Sequence, residues 1–117
     1  MNQKKECLFC EIAKKNIPAR IIYEDETALA FEDIKPHAPV HILVIPKEHI
    51  EKTSDLTEAH ERLIGHLVLV AKDVAKKSKV ENSGYRIVIN CNRDAGQEIF
   101  HLHIHLLGGR KFTWPPG

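Results

Sequence analysis

Residues 101–109 read HLHIHLLGG, and this stretch decides the fold. Its histidines, His101, His103 and His105, stand on alternate positions with apolar residues between them. On a helix, side chains two residues apart point to nearly opposite sides, whereas on a strand they leave the same face roughly 6–7 Å apart. The alternation predicts a strand over 100–107, ended by the two glycines, with one imidazole face and one apolar face. Near neutral pH, imidazole serves as metal ligand, acid or base, or nucleophile, although a plain polar strand face is the alternative.

The composition is that of an ordinary globular chain, and we expect one domain over residues 1–117. Of the 117 residues, 43% are hydrophobic and 28% are charged, with a formal net charge of +1. This balance gives no electrostatic reason to expect binding to nucleic acid or to an anionic membrane. The opening MNQKKECLFC lacks the apolar core of a signal peptide, so we predict a cytoplasmic protein. Three cysteines, an odd number, argue against a disulfide framework in that reducing compartment.

The order of the predicted elements is helix, strands, helix, strands, which favours an α+β fold with an antiparallel sheet. A short helix is expected over 8–16, closed by Pro18, and a long helix is expected after an N-cap at Thr57. His60 and His66 are predicted to be surface residues of that helix. Its apolar stripe is predicted to be Leu63, Ile64, Leu67, Val68, Ala71, Val74 and Ala75. Further strands are expected over 19–25, 27–34, 40–45 and 85–90.

Two other segments hold candidate functional residues. His41 lies inside the apolar stretch 40–45, where a buried imidazole needs a hydrogen-bond partner, and another histidine is a plausible one. The alternative is an ordinary core histidine. In the loop before the histidine strand, Gly96 permits a tight backbone that can form an anion nest, and Gln97 can donate to a phosphate oxygen. Read alone, this segment is equally a plain loop.

Cys7 and Cys10 form a Cys-x-x-Cys pair. A structural zinc needs four ligands, and the other two could be His49 and one of the strand histidines. A thioredoxin-like redox pair is the alternative, but the surrounding βαβ pattern is missing.

Together these segments resemble the histidine triad family, whose motif His-x-His-x-His-x-x with apolar x is matched in full by HLHIHLL. The resemblance covers residues 7–117 and is similar in detail to the nucleotide-binding branch. The segments that carry it are IPARIIYEDETALAFEDIKPHAPVHILVIPKEHI, GYRIVIN, GQEIFHLHIHLLGGR and WPPG. It implies a histidine-triad fold, in which a five-stranded antiparallel sheet and two helices pair into a homodimer with a ten-stranded sheet. It also implies hydrolysis of purine nucleoside phosphoramidates, such as AMP joined to an amine or to lysine, through a nucleotidyl-histidine.

The resemblance also implies roles for individual residues. His103 is the nucleophile, His105 bonds the phosphate and shares in proton transfer, His41 orients the other ring nitrogen of His103, and Asp33 accepts from the ribose. The implied base pocket is Leu8, Phe9, Ile12, Ile34 and Leu43. The implied phosphate site is Asn90, Gly96, Gln97, Glu98, Ile99 and His105. Trp114 resembles a tail residue that reaches the site of the partner subunit.

Two departures from the nucleotide-binding branch matter. Glu98 stands where better-known members have serine, so it either turns away from the phosphate or favours a cationic leaving group. The Cys-x-x-Cys pair is similar to that of zinc-containing members and implies a structural zinc site. Its ligands would be Cys7, Cys10, His49 and His101. A dinucleoside polyphosphate hydrolase or nucleotide phosphorylase on the same triad, and a nucleotide-binding protein without catalysis, remain alternatives.

Overall fold

Five strands form one antiparallel sheet: β1 (Ile21–Glu24), β2 (Ala28–Glu32), β3 (Val40–Pro46), β4 (Tyr85–Val88) and β5 (Ile104–Gly108). Their order in the sheet is β1-β2-β3-β5-β4. The strand that follows the first two motif histidines, β5, lies between β3 and β4 and is therefore internal. This computed structural model describes residues 6–117, so residues 1–5, part of the segment that argued against a signal peptide, lie outside the described residues. Within 6–117, no helix is both long and apolar enough to cross a membrane.

One helix covers each face of the sheet. Successive side chains of a strand point to opposite faces, so apolar residues on both faces need a helix to cover them. The long helix α2 (Glu61–Lys77) packs on the face that carries Leu102, Ile104 and Leu106, as the alternation predicts. The short helix α1 (Leu8–Ala13) packs on the opposite face, where the Phe9 ring lies 5.2 Å from that of His103. The predicted α+β architecture, with an antiparallel five-stranded sheet and two helices, is confirmed.

The histidine strand is shorter than predicted, since ladder pairing begins at Ile104 and not at residue 100. Its partner β3 ends at Pro46, which has no N–H to extend the ladder. The preceding residues bond to the turn beyond β3 instead: the Leu102 amide donates to the Ile50 carbonyl at 2.6 Å. β4 likewise ends at Val88, opposite His105, two residues before the predicted end.

The helices differ from prediction at their ends. The short helix stops at Ala13 and not at residue 16, because Lys15 adopts a left-handed backbone with φ of 68°. Thr57 does cap a helical turn, but that turn is a 3-10 helix over Glu58–His60, and α2 begins directly after it.

The apolar stripe of α2 is rotated slightly from the predicted one. Val68 is 41% exposed, whereas Val70 is 2% exposed and belongs to the core. Positions 67, 70, 71 and 74 follow the helical period, and residue 68 lies about 100° around the axis from residue 67.

The two helix histidines lie at the surface, as predicted, but each is half-buried and bonded. His66 Nε2 lies 2.6 Å from the Asp25 carboxylate, which joins α2 to the turn between β1 and β2. His60 Nδ1 accepts from the Thr57 amide at 3.0 Å and completes the cap of its own turn. Both residues have structural partners away from the motif.

Candidate functional site

His103 is a buried imidazole whose two nitrogens have different roles. Its Nδ1 lies 2.7 Å from the main-chain carbonyl of His101, and a carbonyl only accepts, so Nδ1 carries the proton. Nε2 therefore holds the lone pair. Burial lowers the pKa of His103 below its ordinary value, which keeps the ring neutral at pH 7. The result is a desolvated imidazole with one nucleophilic nitrogen in a fixed orientation.

His41 and His105 form a hydrogen-bonded pair with a defined proton order. The His37 amide donates to His41 Nδ1 at 3.0 Å, so the proton of His41 is on Nε2. His41 Nε2 lies 2.9 Å from His105 Nδ1 and donates to it, which leaves the proton of His105 on Nε2. Burial, then the neighbouring His103 and His41, lowers the pKa of His105 to about 4. Near neutral pH, His105 thus presents an N–H donor beside His103, with the two ring centroids 4.8 Å apart.

The expectation that His41 orients His103 was wrong. The main chain of His101 already holds His103 Nδ1, and His41 bonds to His105. The β3–β5 register explains this pairing. Leu43 is opposite His105, so His41 is its diagonal neighbour on the same face. The broader expectation, that another histidine satisfies His41, is confirmed.

Asp33 lies at the edge of this pair. One of its carboxylate oxygens is 3.5 Å from His41 Nε2, and the other accepts from the Lys35 amide at 2.8 Å. Asp33, His41 and His105 are close enough to hold a metal ion. The proton on His41 Nε2 argues against that use, because a metal would need the lone pair there while the His37 amide needs the one on Nδ1. We interpret the group as a hydrogen-bond network.

A second cluster combines Cys7, Cys10, His49 and His101, whose donor atoms all lie within 4.8 Å of one another. His101 Nε2 is 2.7 Å from the Pro46 carbonyl and donates to it, so its lone pair is on Nδ1. That Nδ1 lies 3.3 Å from Cys7 Sγ and 3.5 Å from Cys10 Sγ. His49 Nδ1 lies 3.2 Å from Cys10 Sγ.

These spacings fit a metal centre. Tetrahedral zinc with bonds of about 2.3 Å to sulfur and 2.0 Å to nitrogen places unlike ligands about 3.5 Å apart. Burial lowers the pKa of His101 to about 4, which keeps the neutral form that a metal requires. The Cys10 amide donates to Cys7 Sγ at 3.3 Å, which helps to hold this sulfur beside the other three donors. The four residues could hold a metal ion, and the donor set is typical of structural zinc.

The apolar side of the site lies beneath α1. Phe9, Ile12 and Leu43, three residues of the predicted base pocket, are buried together in one apolar cluster. Leu8 is 40% exposed, and Ile34 is 89% exposed and does not belong to the cluster, because it follows the end of β2. The cluster also contains three residues that the sequence analysis did not assign to the site: Leu29, Phe31 and Ile45.

The loop before the motif is held by Gln97. Its Oε1 accepts from the Asn92 amide at 2.9 Å, and its Nε2 donates to the carbonyls of Glu51 and Ile99 at 2.8 and 3.1 Å. Both amide hydrogens are thus engaged, and the prediction that this side chain donates to a phosphate is not met. Gly96 does have the predicted tight backbone, with φ of 89°.

The remaining predicted residues differ in their exposure to solvent. Asn90 is half-buried after β4, and Trp114 is 81% exposed. A cavity of about 300 Å³ connects the cysteine–histidine cluster with the loop. It is lined by Glu6, Cys7, Leu8, His49, Glu51, Glu98, Ile99 and Phe100. Sequence reasoning missed two groups, the His37 amide and the His101 carbonyl, which are main-chain atoms that no residue type reveals.

Comparisons with known proteins agree with this fold. A sequence profile of the HIT domain matches residues 14–112. An uncharacterized HIT-like protein of Synechococcus elongatus is 50% identical over 113 residues, which are 97% of this chain and 98% of that protein. A crystal structure of a HIT family hydrolase from Legionella pneumophila is 47% identical with a TM-score of 0.94, covering 96% of this chain and 100% of that one. A HIT family hydrolase from Clostridium thermocellum is 42% identical with a TM-score of 0.93, covering 95% and 96%.

Proposed function

This chain belongs to the HIT domain family, and we propose that it hydrolyses purine nucleoside phosphoramidates through a nucleotidyl intermediate on His103. One observation carries the proposal: the lone pair of His103 Nε2 lies beside the N–H donor of His105. A nucleophile and a phosphoryl-oxygen donor are what phosphoryl transfer needs at its centre. The two similar solved proteins, named HIT family hydrolases, support a hydrolase.

In the first step, His103 Nε2 attacks the α-phosphorus and the P–N bond breaks. The positive charge on the modified His103 ring is met by the His101 carbonyl at Nδ1. His105 donates Nε2–H to a phosphoryl oxygen. Because the bound anion favours a charged imidazole beside it, the His41–His105 pair takes up one proton from solvent when the substrate binds, and His105 passes a proton from Nε2 to the leaving nitrogen as the P–N bond breaks. In the second step, water attacks phosphorus and gives a proton to His105. The bond between phosphorus and His103 Nε2 breaks, which frees the nucleotide and restores His103.

The rest of the site binds the nucleotide. We assign the purine to the apolar surface at Phe9, Ile12 and Leu43, and the ribose hydroxyls to Asp33. Amides of the loop 96–99 and the Asn90 side chain bind the phosphoryl oxygens, and Gln97 holds that loop in place. Glu98 is exposed beside the cavity, where its carboxylate favours a cationic amine such as lysine as leaving group.

We also propose that Cys7, Cys10, His49 and His101 hold a structural zinc ion. Bound there, the ion would link α1 to the turn after β3 and to the start of the motif. These four residues take no part in bond breaking. They hold α1, which carries Phe9, and the His101 carbonyl, which orients His103.

The acting form is proposed to be a cytoplasmic homodimer. β4 is an edge strand of the five-stranded sheet and offers a free side for a ten-stranded one. The high exposure of Trp114 is what is expected of a side chain that completes the site of a partner subunit.

The test is hydrolysis of adenosine 5′-phosphoramidate and of AMP-lysine by the wild type and by His103→Ala. We expect turnover by the wild type only, with AMP binding by both. Dinucleoside polyphosphates serve as the comparison substrate, because the same triad could cleave them. Absence of turnover on every substrate, with AMP still bound, would replace the proposal with a nucleotide-binding function.

A further inference from the structure

We infer that Arg110 and Gly109 are positioning residues, which act through the main chain of His37 to set where the protons of His41 and His105 lie. The inference rests on the proposed function, since it concerns the same catalytic pair. Neither residue is in the predicted catalytic or binding set. Both follow β5 directly, in the segment that turns back over the loop between β2 and β3.

The starting point is the His37 amide, which is the group that decides the tautomer of His41. It donates to His41 Nδ1 at 3.0 Å, and His41 in turn donates from Nε2 to His105 Nδ1. If the amide moves away, His41 can carry its proton on Nδ1 and accept at Nε2. His105 then donates from Nδ1 and presents a bare lone pair at Nε2. The pair reverses as a unit, and a phosphoryl oxygen would meet a lone pair and not a donor.

Arg110 holds the residue that carries this amide. Its Nε donates to the His37 carbonyl at 3.1 Å. The guanidinium is itself fixed, because it lies 4.3 Å from the centroid of the Phe112 ring and donates to the Lys111 carbonyl at 3.2 Å. Arg86 lies 5.2 Å from the same ring. Stacking on Phe112 and the bond to the Lys111 carbonyl favour the orientation in which Arg110 Nε reaches the His37 carbonyl.

Gly109 brings the two segments into contact. Its φ is 90°, which side chains other than glycine rarely adopt, and a Cβ there would lie 2.8 Å from Pro39 Cβ. Pro39 is two residues from His37 in the same loop. The close approach therefore depends on a glycine, and it places Arg110 where its Nε meets the His37 carbonyl.

The direct measurement is the protonation of the ring nitrogens, read by long-range ¹H–¹⁵N NMR on ¹⁵N-histidine-labelled protein without substrate. In the wild type we expect Nε2 protonated and Nδ1 bare on both His41 and His105. In Arg110→Ala we expect both rings to show mixed tautomers. Arg62→Ala, which removes an exposed arginine from α2 on the other face of the sheet, is the matched control and should retain the wild-type tautomers.

Gly109→Ala gives a second, independent perturbation of the same loop and should mix the tautomers as Arg110→Ala does. On adenosine 5′-phosphoramidate, we expect kcat of Arg110→Ala to fall about tenfold, the usual size for loss of an orienting partner, with KM changed less than twofold. Wild-type tautomers in both folded variants would overturn the inference. Because the spectra need no substrate, an inactive wild type would instead count against the proposed function alone.

Discussion

The chain contains two clusters of buried imidazoles a few ångströms apart, and they differ in where their lone pairs point. In the cysteine–histidine cluster, His101 Nε2 donates a hydrogen bond to the Pro46 carbonyl, and the lone pair on Nδ1 faces two sulfur atoms. In the histidine cluster of His41, His103 and His105, each proton is assigned by a main-chain group or by a neighbouring ring. One lone pair, on His103 Nε2, remains available. A histidine side chain can therefore serve as metal ligand or as nucleophile, depending on which group bonds to the ring nitrogen that does not carry the lone pair.

Removing the available lone pair is the strongest test of this contrast. His103→Ala should lower kcat/KM on adenosine 5′-phosphoramidate by about 10⁴-fold or more, as expected for loss of a nucleophile. AMP affinity, measured by calorimetry, should change little. His66→Ala, which removes a histidine outside both clusters, is the control and should retain activity. An equal loss of kcat/KM in His103→Ala and His66→Ala would contradict a nucleophilic role for His103.

Removing the sulfur ligands should affect the other cluster alone. Cys7→Ser/Cys10→Ser should reduce bound zinc from about one ion per chain to nearly none and lower the free energy of unfolding by several kcal/mol. Metal analysis and urea unfolding would measure the two effects.

Cys91→Ser provides the matched control, since Cys91 is the third cysteine and bonds to Ser54 away from the cluster. Metal content that stays unchanged in the double variant would exclude this ligand set.

Loss of the hydrogen bond between His41 and His105 should have an intermediate effect on kcat. In His41→Ala, His105 Nδ1 loses its donor, so the proton of His105 is no longer fixed on Nε2. We expect kcat to fall about 10- to 100-fold. His60→Ala, a change to a histidine that caps a helical turn outside both clusters, should leave kcat near the wild-type value. A loss as large as that of His103→Ala would instead assign a direct chemical role to His41.

Acid should lower the free energy of unfolding through the buried histidines, His105 among them. Burial lowers the pKa of His105 to about 4, below its ordinary value of 6.5. Between these values the unfolded chain binds a proton that the folded chain does not, so the stabilising contribution present at pH 7 is lost as the pH falls from 6.5 towards 4. Urea unfolding at pH 7, 5.5 and 4.5 should show this decline. His105→Gln should flatten it in part, and an identical slope in that variant would contradict the assignment.

The smallest effect is expected at the cavity beside the cysteine–histidine cluster. Glu98→Ser removes an exposed carboxylate at its rim and should lower kcat/KM for AMP-lysine by about two- to fivefold, the size of one solvent-exposed charge interaction. Turnover of the unsubstituted phosphoramidate should change less. Equal changes on both substrates would remove Glu98 from leaving-group selection.

The sequence predicts the parts of this structure that depend on side-chain pattern. The alternation of HLHIHLL places Leu102, Ile104 and Leu106 in the core and the histidines on the other face, and the structure confirms both. Prediction from side-chain pattern fails where main-chain atoms determine the strand ends and the hydrogen-bond partners. The strand starts late because Pro46 cannot extend the ladder, and Gln97 satisfies carbonyls.

The same limit explains why the sequence analysis paired His41 with His103 and not with His105. Residue types alone cannot show that the His101 carbonyl takes His103 Nδ1 or that the His37 amide takes His41 Nδ1. Both bonds depend on backbone geometry in loops and at strand ends, which hydrophobic periodicity does not encode. A closer reading of strand register could have found the His41–His105 diagonal.

The position of β5 has a consequence for how the protein is made. β5 is inserted between β3 and β4, although it follows both of them in the chain. During synthesis from the amino end, the ribosome delivers β3 and β4 before the strand that joins them, and their facing edges have no partner until it arrives. Both clusters take their last histidines from residues 101–105. A nascent chain therefore has neither a reactive imidazole in place nor a complete set of metal ligands until the central strand inserts, so assembly of the sheet and completion of both sites are a single event.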